Sequence, residues 1–158
     1  MNLLVRKSVR LQNFDYRTEG AYFITICTQD RQCVLSEIVG EGLAPPAVKL
    51  TAWGNAARMQ IEQITARFPS IFVDHYVIMP NHIHLLLRLD AGGASPSPTM
   101  IDAVRVMKSQ TTRLCRGTAK LFQRSFYDHV IRNQAEYQKI WEYIDTNPLK
   151  WADDCLHP

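Results

Sequence analysis

Two runs rich in β-branched and aromatic residues, IFVDHYVIM at 71–79 and HIHLLLRL at 82–89, are separated only by Pro80 and Asn81. So short a link between such runs specifies a tight antiparallel hairpin, and no other feature narrows the choice of fold as much. Side chains alternate along a strand, so Ile83, Leu85, Leu87 and Leu89 share a core face while His82, His84, Leu86 and Arg88 share the other. His82 and His84 therefore form a bidentate metal-ligand pair. A His-x-His strand is a weak signal by itself, because surface strands carry it by chance. This pair opens its strand just after Met-Pro-Asn, where solvent access to a metal is expected, and it has no adjoining carboxylate to build a dedicated zinc site. Imidazoles completed by oxygen ligands, water and substrate phosphate suit Mg²⁺ or Mn²⁺.

The remaining elements follow from periodicity. Residues 21–28 (AYFITICT) read as a strand. Trp53, Ala57, Ile61, Ile64 and Phe68 mark one face of a single helix that Pro69 stops. After the loop 91–99, Ile101, Val104, Met107, Thr111 and Leu114 mark a second helix, residues 125–133 a fourth strand, and 134–146 a last helix with Tyr137, Ile140 and Ile144 facing inward. The order predicts an α+β fold: a ferredoxin-like βαββαβ antiparallel sheet with an additional C-terminal helix. Helices on one side of such a sheet leave the other side for a ligand. With 158 residues, 46% of them apolar and 21% charged, the chain 1–158 is expected to form one domain.

The net charge of +3 is unevenly distributed. The basic N-terminal arm, 1–20, carries Arg6, Lys7 and Arg10, and residues 100–124 carry Arg105, Lys108, Arg113, Arg116, Lys120 and Arg124 against Asp102. Two basic patches favour a polyanion partner. No stretch approaches eighteen consecutive apolar residues, and the first residues break quickly into charge, so neither a membrane span nor a signal-peptide core is expected and the chain reads as cytosolic. Cys27, Cys33, Cys115 and Cys155 form no Cys-x-x-Cys pair and read as reduced.

On the last helix Tyr143 and Asn147 are four residues apart, on a side distinct from the apolar stripe. A phenol with a pKa near 10 is a weak nucleophile at neutral pH and needs an activated electrophile. Tyr127 and Tyr137 are rivals, the first on a strand face with Ile131 and the second on the apolar stripe. His75 and His129 read as hydrogen-bonded structural histidines, and Asp128 and Arg132 as a surface ion pair.

The runs SVRLQNFDYRTEGAYFITICTQDR, VDHYVIMPNHIHLLL and FYDHVIRNQAEYQKIWEYIDTNPLKW closely resemble the REP-associated tyrosine transposases, of the HUH single-tyrosine superfamily. The resemblance spans about Arg6 to Trp151. It implies an endonuclease and strand transferase for single-stranded or hairpin DNA, nucleoid-associated in the cytoplasm, acting as a monomer or homodimer. In that pattern His82 and His84 bind Mg²⁺ or Mn²⁺, Tyr143 on the catalytic helix 134–148 is the nucleophile, and Asn147 is a third ligand or its neighbour. DNA contacts are expected from Arg6, Lys7, Arg10, Arg105, Lys108, Arg113, Arg116 and Arg124. The product is a 5′-phosphotyrosine with a free 3′-hydroxyl, and no ATP is needed, in keeping with the lack of a Gly-x-x-x-x-Gly-Lys loop. Phe122 replaces the family's usual tryptophan before Gln-Arg, which bears on packing or a base-stacking contact. The competing reading is a non-catalytic single-stranded nucleic-acid-binding module, which has no use for Tyr143, His82 and His84 together.

Overall fold

The computed structural model describes residues 13–40, 46–90, 99–115 and 120–158. Its main sheet holds β1 (Gly20–Cys27), β4 (Ile71–Ile78), β5 (His82–Leu89) and β6 (Tyr127–Ile131), in the spatial order β4-β5-β1-β6. Every neighbouring pair is antiparallel. Each helical crossover skips a strand, since β5 lies between β1 and β4, and β1 lies between β5 and β6. This is the split βαβ arrangement expected from the sequence.

The first crossover differs from the single helix expected. It contains a small antiparallel hairpin, β2 (Ser36–Val39) with β3 (Ala47–Leu50), and then α1 (Ala52–Glu62) and the short α2 (Ile64–Arg67). Gln63, at φ −92° and ψ −3°, separates the two helices, and Thr65 Oγ1 donates to Ile71 O at 2.8 Å to turn α2 onto β4. Thr51 caps α1 by accepting from Gly54 N. Trp53, assigned to the buried face by periodicity, instead stands 39% exposed in the first turn of α1.

The second crossover is α3 (Met100–Leu114), opened by a capping box in which Thr99 and Asp102 satisfy each other's backbone groups. Ala103, Val104 and Met107 of α3 and Ala57 and Ile61 of α1 pack with Ile83, Leu85, Leu87 and Leu89, so the larger core lies on that face of the sheet.

The opposite face is not left open. There α4 (Gln134–Thr146) sets Ile140 and Ile144 against Phe23 and Leu86, each isoleucine worth about 1.5–3 kcal/mol by burial alone. A β-bulge between Val73 and His75 lets successive side chains of β4 reach the same helix. Asp74 Oδ2 accepts from Tyr137 Oη at 2.7 Å, and His75 Nε2 meets Asp145 Oδ1 at 2.6 Å with its ring stacked 4.4 Å from Trp141. His129 pairs with Glu136 near the start of α4. His75 and His129 are thus structural, as expected. Asp128 is not a surface partner of Arg132: it is buried and accepts from Tyr16 Oη at 2.8 Å.

Gly54 lets the first turn of α1 pack against the backbone just before β2, because a Cβ there would stand 2.0 Å from Leu35 O. Gly54→Ala is therefore expected to destabilise the protein by about 1–3 kcal/mol despite alanine's better helix propensity. Urea unfolding checks this, and a midpoint equal to wild type would contradict it.

Candidate active site

The site begins at the hairpin turn. Asn81 is 1% exposed, and its Nδ2 donates to Leu156 O at 2.6 Å and to Arg31 O at 3.4 Å. That fixes its Oδ1 toward His82 Nδ1, 2.8 Å away, so Nδ1 carries the proton and neutral His82 presents its Nε2 lone pair. His84 Nδ1 is likewise engaged, by Thr25 Oγ1 on β1 at 2.9 Å. Its Nε2 is buried without a hydrogen-bond partner, at a cost of about 1–3 kcal/mol for such a group. With its proton on Nδ1, the ring turns an Nε2 lone pair that is suited to a cation into this space.

Helix α4 delivers the other two groups. Asn147, its C-cap, is buried and holds Oδ1 3.3 Å from His82 Nε2. Tyr143 lies with its ring 5.3 Å from His84 and 6.0 Å from Phe23. Burial pushes the Tyr143 phenol up from 10, the neighbouring Asp154 and Cys155 add to this, and a hydrogen bond from Asn147 opposes it. Both histidines are held below the usual imidazole range chiefly by burial; Asp154 and Asn147 oppose this at His82, whereas at His84 the neighbouring His82 reinforces it.

Among the described residues, no three His, Cys, Asp or Glu side chains are gathered closely enough to hold a metal. The donor set is two imidazoles and an amide oxygen. It supplies fewer ligands than a closed structural zinc site and leaves positions for water and phosphate oxygens on a divalent ion.

The solvent access expected of the pair is absent, since His82 is 0% and His84 2% exposed. Residues 151–157 roof it. The Trp151 ring lies 5.9 Å from that of His82 and 4.7 Å from that of His157, and Asp154 Oδ2 lies 3.7 Å from His82 Nε2. Sequence reading missed Asn81, Thr25, Trp151 and Asp154. The Met-Pro-Asn turn was the one available signal, and it pointed to Asn81.

No family model matches the chain. An uncharacterized protein of Haemophilus influenzae is 33% identical over 172 residues, covering 96% of this chain and 93% of that protein. A second H. influenzae protein, provisionally named a REP-associated tyrosine transposase, is 30% identical over 151 residues, covering 86% of this chain and 74% of the other. This chain belongs to the REP-associated tyrosine transposases. The Escherichia coli K12 REP-associated tyrosine transposase is 32% identical over 78 residues, 49% of this chain and 44% of that one. A solved structure of a REP-associated tyrosine transposase bound to a REP hairpin aligns with TM-score 0.65 at 24% identity, covering 90% of this chain and 74% of that one. A Deinococcus radiodurans structure described provisionally as a transposase aligns with TM-score 0.50 at 16% identity. These two likenesses concern the fold.

Of the residues expected to contact DNA, those among the described residues do not gather around the histidines. Arg6, Lys7, Arg10 and Arg116 lie outside the described residues. Arg105 and Arg113 are exposed on α3, across the sheet from the His pair, and Arg124 is exposed in the segment before β6. Lys108 is turned inward: its Nζ donates to the carbonyls of Gln123, Arg124 and Ser125 at 2.7, 3.1 and 3.4 Å and lies 5.7 Å from the centre of the Phe126 ring. Phe122 is buried and bridges Thr28, so its place is packing. Tyr127 is 58% exposed on the edge strand, and Tyr137 is tied to Asp74. Among the described residues no helix is long and apolar enough to cross a membrane.

The buried neutral histidines make stability depend on pH. Their pKa values lie below the ordinary value of about 6.5, so the unfolded chain takes up protons that the folded chain does not. Stability from this source is present above pH 6.5 and is lost as pH falls through it, well above the range where the depressed carboxylates Asp102 and Glu136 titrate. Thermal melts in EDTA are expected to show a lower Tm at pH 5 than at pH 7.5, with a smaller drop for His84→Gln. An equal drop in the variant would contradict the assignment.

Proposed function

We propose that the chain nicks and rejoins single-stranded or hairpin DNA, with Tyr143 as nucleophile and His82, His84 and Asn147 as the seat of Mg²⁺ or Mn²⁺. The observation that carries this is the convergence, at one end of the sheet, of the Tyr143 ring beside His84, the unpartnered His84 Nε2 and the Asn147 oxygen facing His82 Nε2. That one relative has been solved with a REP hairpin supports the choice of substrate.

Tyr143 Oη forms a bond to phosphorus as the bond to the 3′-oxygen breaks. The phenol loses its proton and the departing oxygen gains one, leaving a 5′-phosphotyrosine and a 3′-hydroxyl. Attack by a 3′-hydroxyl reverses the step and joins strands without an external energy source. A bound divalent ion would stabilise the charge on the non-bridging oxygens. Asn147 links the two halves of the site, since it faces His82 and also opposes the burial-raised pKa of Tyr143. The docking of α4 holds Tyr143 against a site built by the same chain. Because residues 151–157 roof the pair, substrate enters only when that segment moves off it.

Labelled hairpin oligonucleotides with Mg²⁺ or Mn²⁺, resolved on a denaturing gel, test the reading. A covalent adduct is expected from wild type and none from Tyr143→Phe, His82→Ala, His84→Ala or wild type in EDTA, with hairpin binding by Tyr143→Phe close to wild type. The same sequence in a long duplex should react little, because opening it costs on the order of 1.4 kcal/mol per base-pair step. Binding without an adduct would overturn the reading in favour of a non-catalytic binding module.

Arg105, Arg113 and Arg124 should set affinity. Their triple alanine variant is expected to flatten the salt dependence of binding by roughly 0.7 log unit for each DNA phosphate that is no longer neutralised. Lys108→Met should leave that slope intact and lower stability instead, because its ammonium is committed to three carbonyls. An unchanged slope in the triple variant would place the DNA elsewhere.

A further inference from the structure

Helix α4 meets the sheet through a narrow apolar contact. Of its 13 residues only Ile140 and Ile144 are buried, against Phe23 and Leu86. The two isoleucines stand one turn apart, and so do Tyr143 and Asn147. A slide of about one turn, roughly 5.4 Å, would set one isoleucine in the other's place and exchange Tyr143 for Asn147 in the same way. The apolar stripe therefore distinguishes poorly between neighbouring registers of the helix, of which one alone brings Tyr143 beside His84 and Asn147 opposite His82.

Polar contacts on either side of Tyr143 do distinguish the registers. Tyr137 Oη donates to Asp74 Oδ2 at 2.7 Å, and His75 Nε2 meets Asp145 Oδ1 at 2.6 Å. Successive strand residues ordinarily face opposite ways, and the bulge between Val73 and His75 is what lets Asp74 and His75 both reach α4. One turn from Asp145 stand Trp141 and Leu149, neither an acceptor for His75. One turn from Tyr137 stand Trp141, which is stacked on His75, and Asn133, which is committed to capping Glu136 N. Asp74 is itself aimed. Arg88 on β5 holds its Nε 3.4 Å from Asp74 Oδ2 and is fixed in turn by Asp90 at 2.6 Å and by the Phe72 ring, 4.6 Å away. Burial, with the hydrogen bond to Asp74 adding to it, pushes the Tyr137 phenol up to about 12, so it stays a donor to the carboxylate.

We propose that Asp74, with Tyr137 as its counterpart on α4, is a positioning residue that fixes the helix in the register at which Tyr143 and Asn147 face the two histidines. The pair of His75 with Asp145 reinforces it from the far side of Tyr143. The inference rests on the assignment of Tyr143 as nucleophile and adds to it what sets the nucleophile's place. Displacing an attacking group by about 1 Å costs on the order of a hundredfold in rate. Affinity for DNA, assigned above to Arg105, Arg113 and Arg124, does not pass through α4. Loss of the contact therefore slows the chemical step and spares binding. Because Asn147 rides on the same helix, the metal seat loosens with it.

Single-turnover adduct formation at saturating hairpin and Mn²⁺, measured beside the hairpin Kd on the full chain, tests this. Tyr137→Phe and Asp74→Ala are each expected to slow the adduct by about tenfold or more, with Kd within about twofold of wild type. The double variant should be no slower than the slower single one, because both remove the same contact. Asp74→Asn keeps an acceptor for Tyr137 Oη and should recover most of the rate. Gly54→Ala, which lowers stability from the other face of the sheet, is the control for stability. It should keep the wild-type rate at a temperature where circular dichroism shows every variant folded. Titration calorimetry without DNA should show weaker Mn²⁺ binding by Tyr137→Phe than by wild type. Wild-type rates in both single variants, independent losses that multiply in the double variant, an equal slowing in Gly54→Ala, or unchanged Mn²⁺ affinity would overturn the positioning role and leave Tyr143 as nucleophile. Absence of any adduct from wild type would overturn the nicking reading, and the inference with it.

Discussion

Asn81 is the constraint on which the candidate site depends. Its main-chain oxygen accepts from Thr28 N and Thr28 Oγ1, its Nδ2 donates to Leu156 O and Arg31 O, and its Oδ1 fixes the tautomer of His82. Through its side-chain amide and its main-chain carbonyl, this one buried residue joins the hairpin turn, the end of β1, the turn that follows it and the C-terminal segment. A buried amide satisfied on both sides has one orientation, and so His82 presents Nε2 to the site rather than Nδ1. Thr25 Oγ1 engages Nδ1 of His84 from the neighbouring strand, in the register that places Thr25 opposite His84, and leaves its Nε2 turned to the site.

The second requirement is met by α4. Its apolar stripe covers Phe23 and Leu86, which lie on the same face of the sheet as the histidines, so burial of the stripe carries Tyr143 and Asn147 to them. Polar contacts along the helix, Tyr137 with Asp74 and His75 with Asp145, resist sliding and rotation that apolar contacts alone would permit. The same burial raises the Tyr143 pKa and lowers those of both histidines. A buried, organised site keeps the Tyr143 phenol protonated and its imidazoles neutral, the second of which is the state that ligates a metal.

Two surfaces converge at that end of the sheet. The histidines and Tyr143 occupy the α4 side, whereas Trp53, Lys120 and Arg113 occupy the α3 side, with Thr28 and Asn81 between them. Among the described residues, Arg105, Arg113 and Lys120 therefore lie across the sheet from the proposed chemistry. Cations close to the histidines would disfavour a bound metal ion, while cations across the sheet can hold a strand without that penalty.

What the sequence determined by itself is what short-range periodicity carries. Alternation over residues 82–89 placed both imidazoles on one face, the two-residue link specified the hairpin, and helical spacing put Tyr143 and Asn147 on one side of a helix, all of which the structure retains. The four-residue strands β2 and β3 are too short to show a period. Only the tertiary structure decided that α4 covers the second face, that residues 151–157 close over the histidines, that Lys108 points inward and that Trp53 points out. Those outcomes depend on partners far along the chain, as with Asn81 and Leu156, 75 residues apart, or His82 and Asn147, 65 apart. A side chain's local pattern says which face it takes, and the element that arrives there decides whether that face meets protein or solvent.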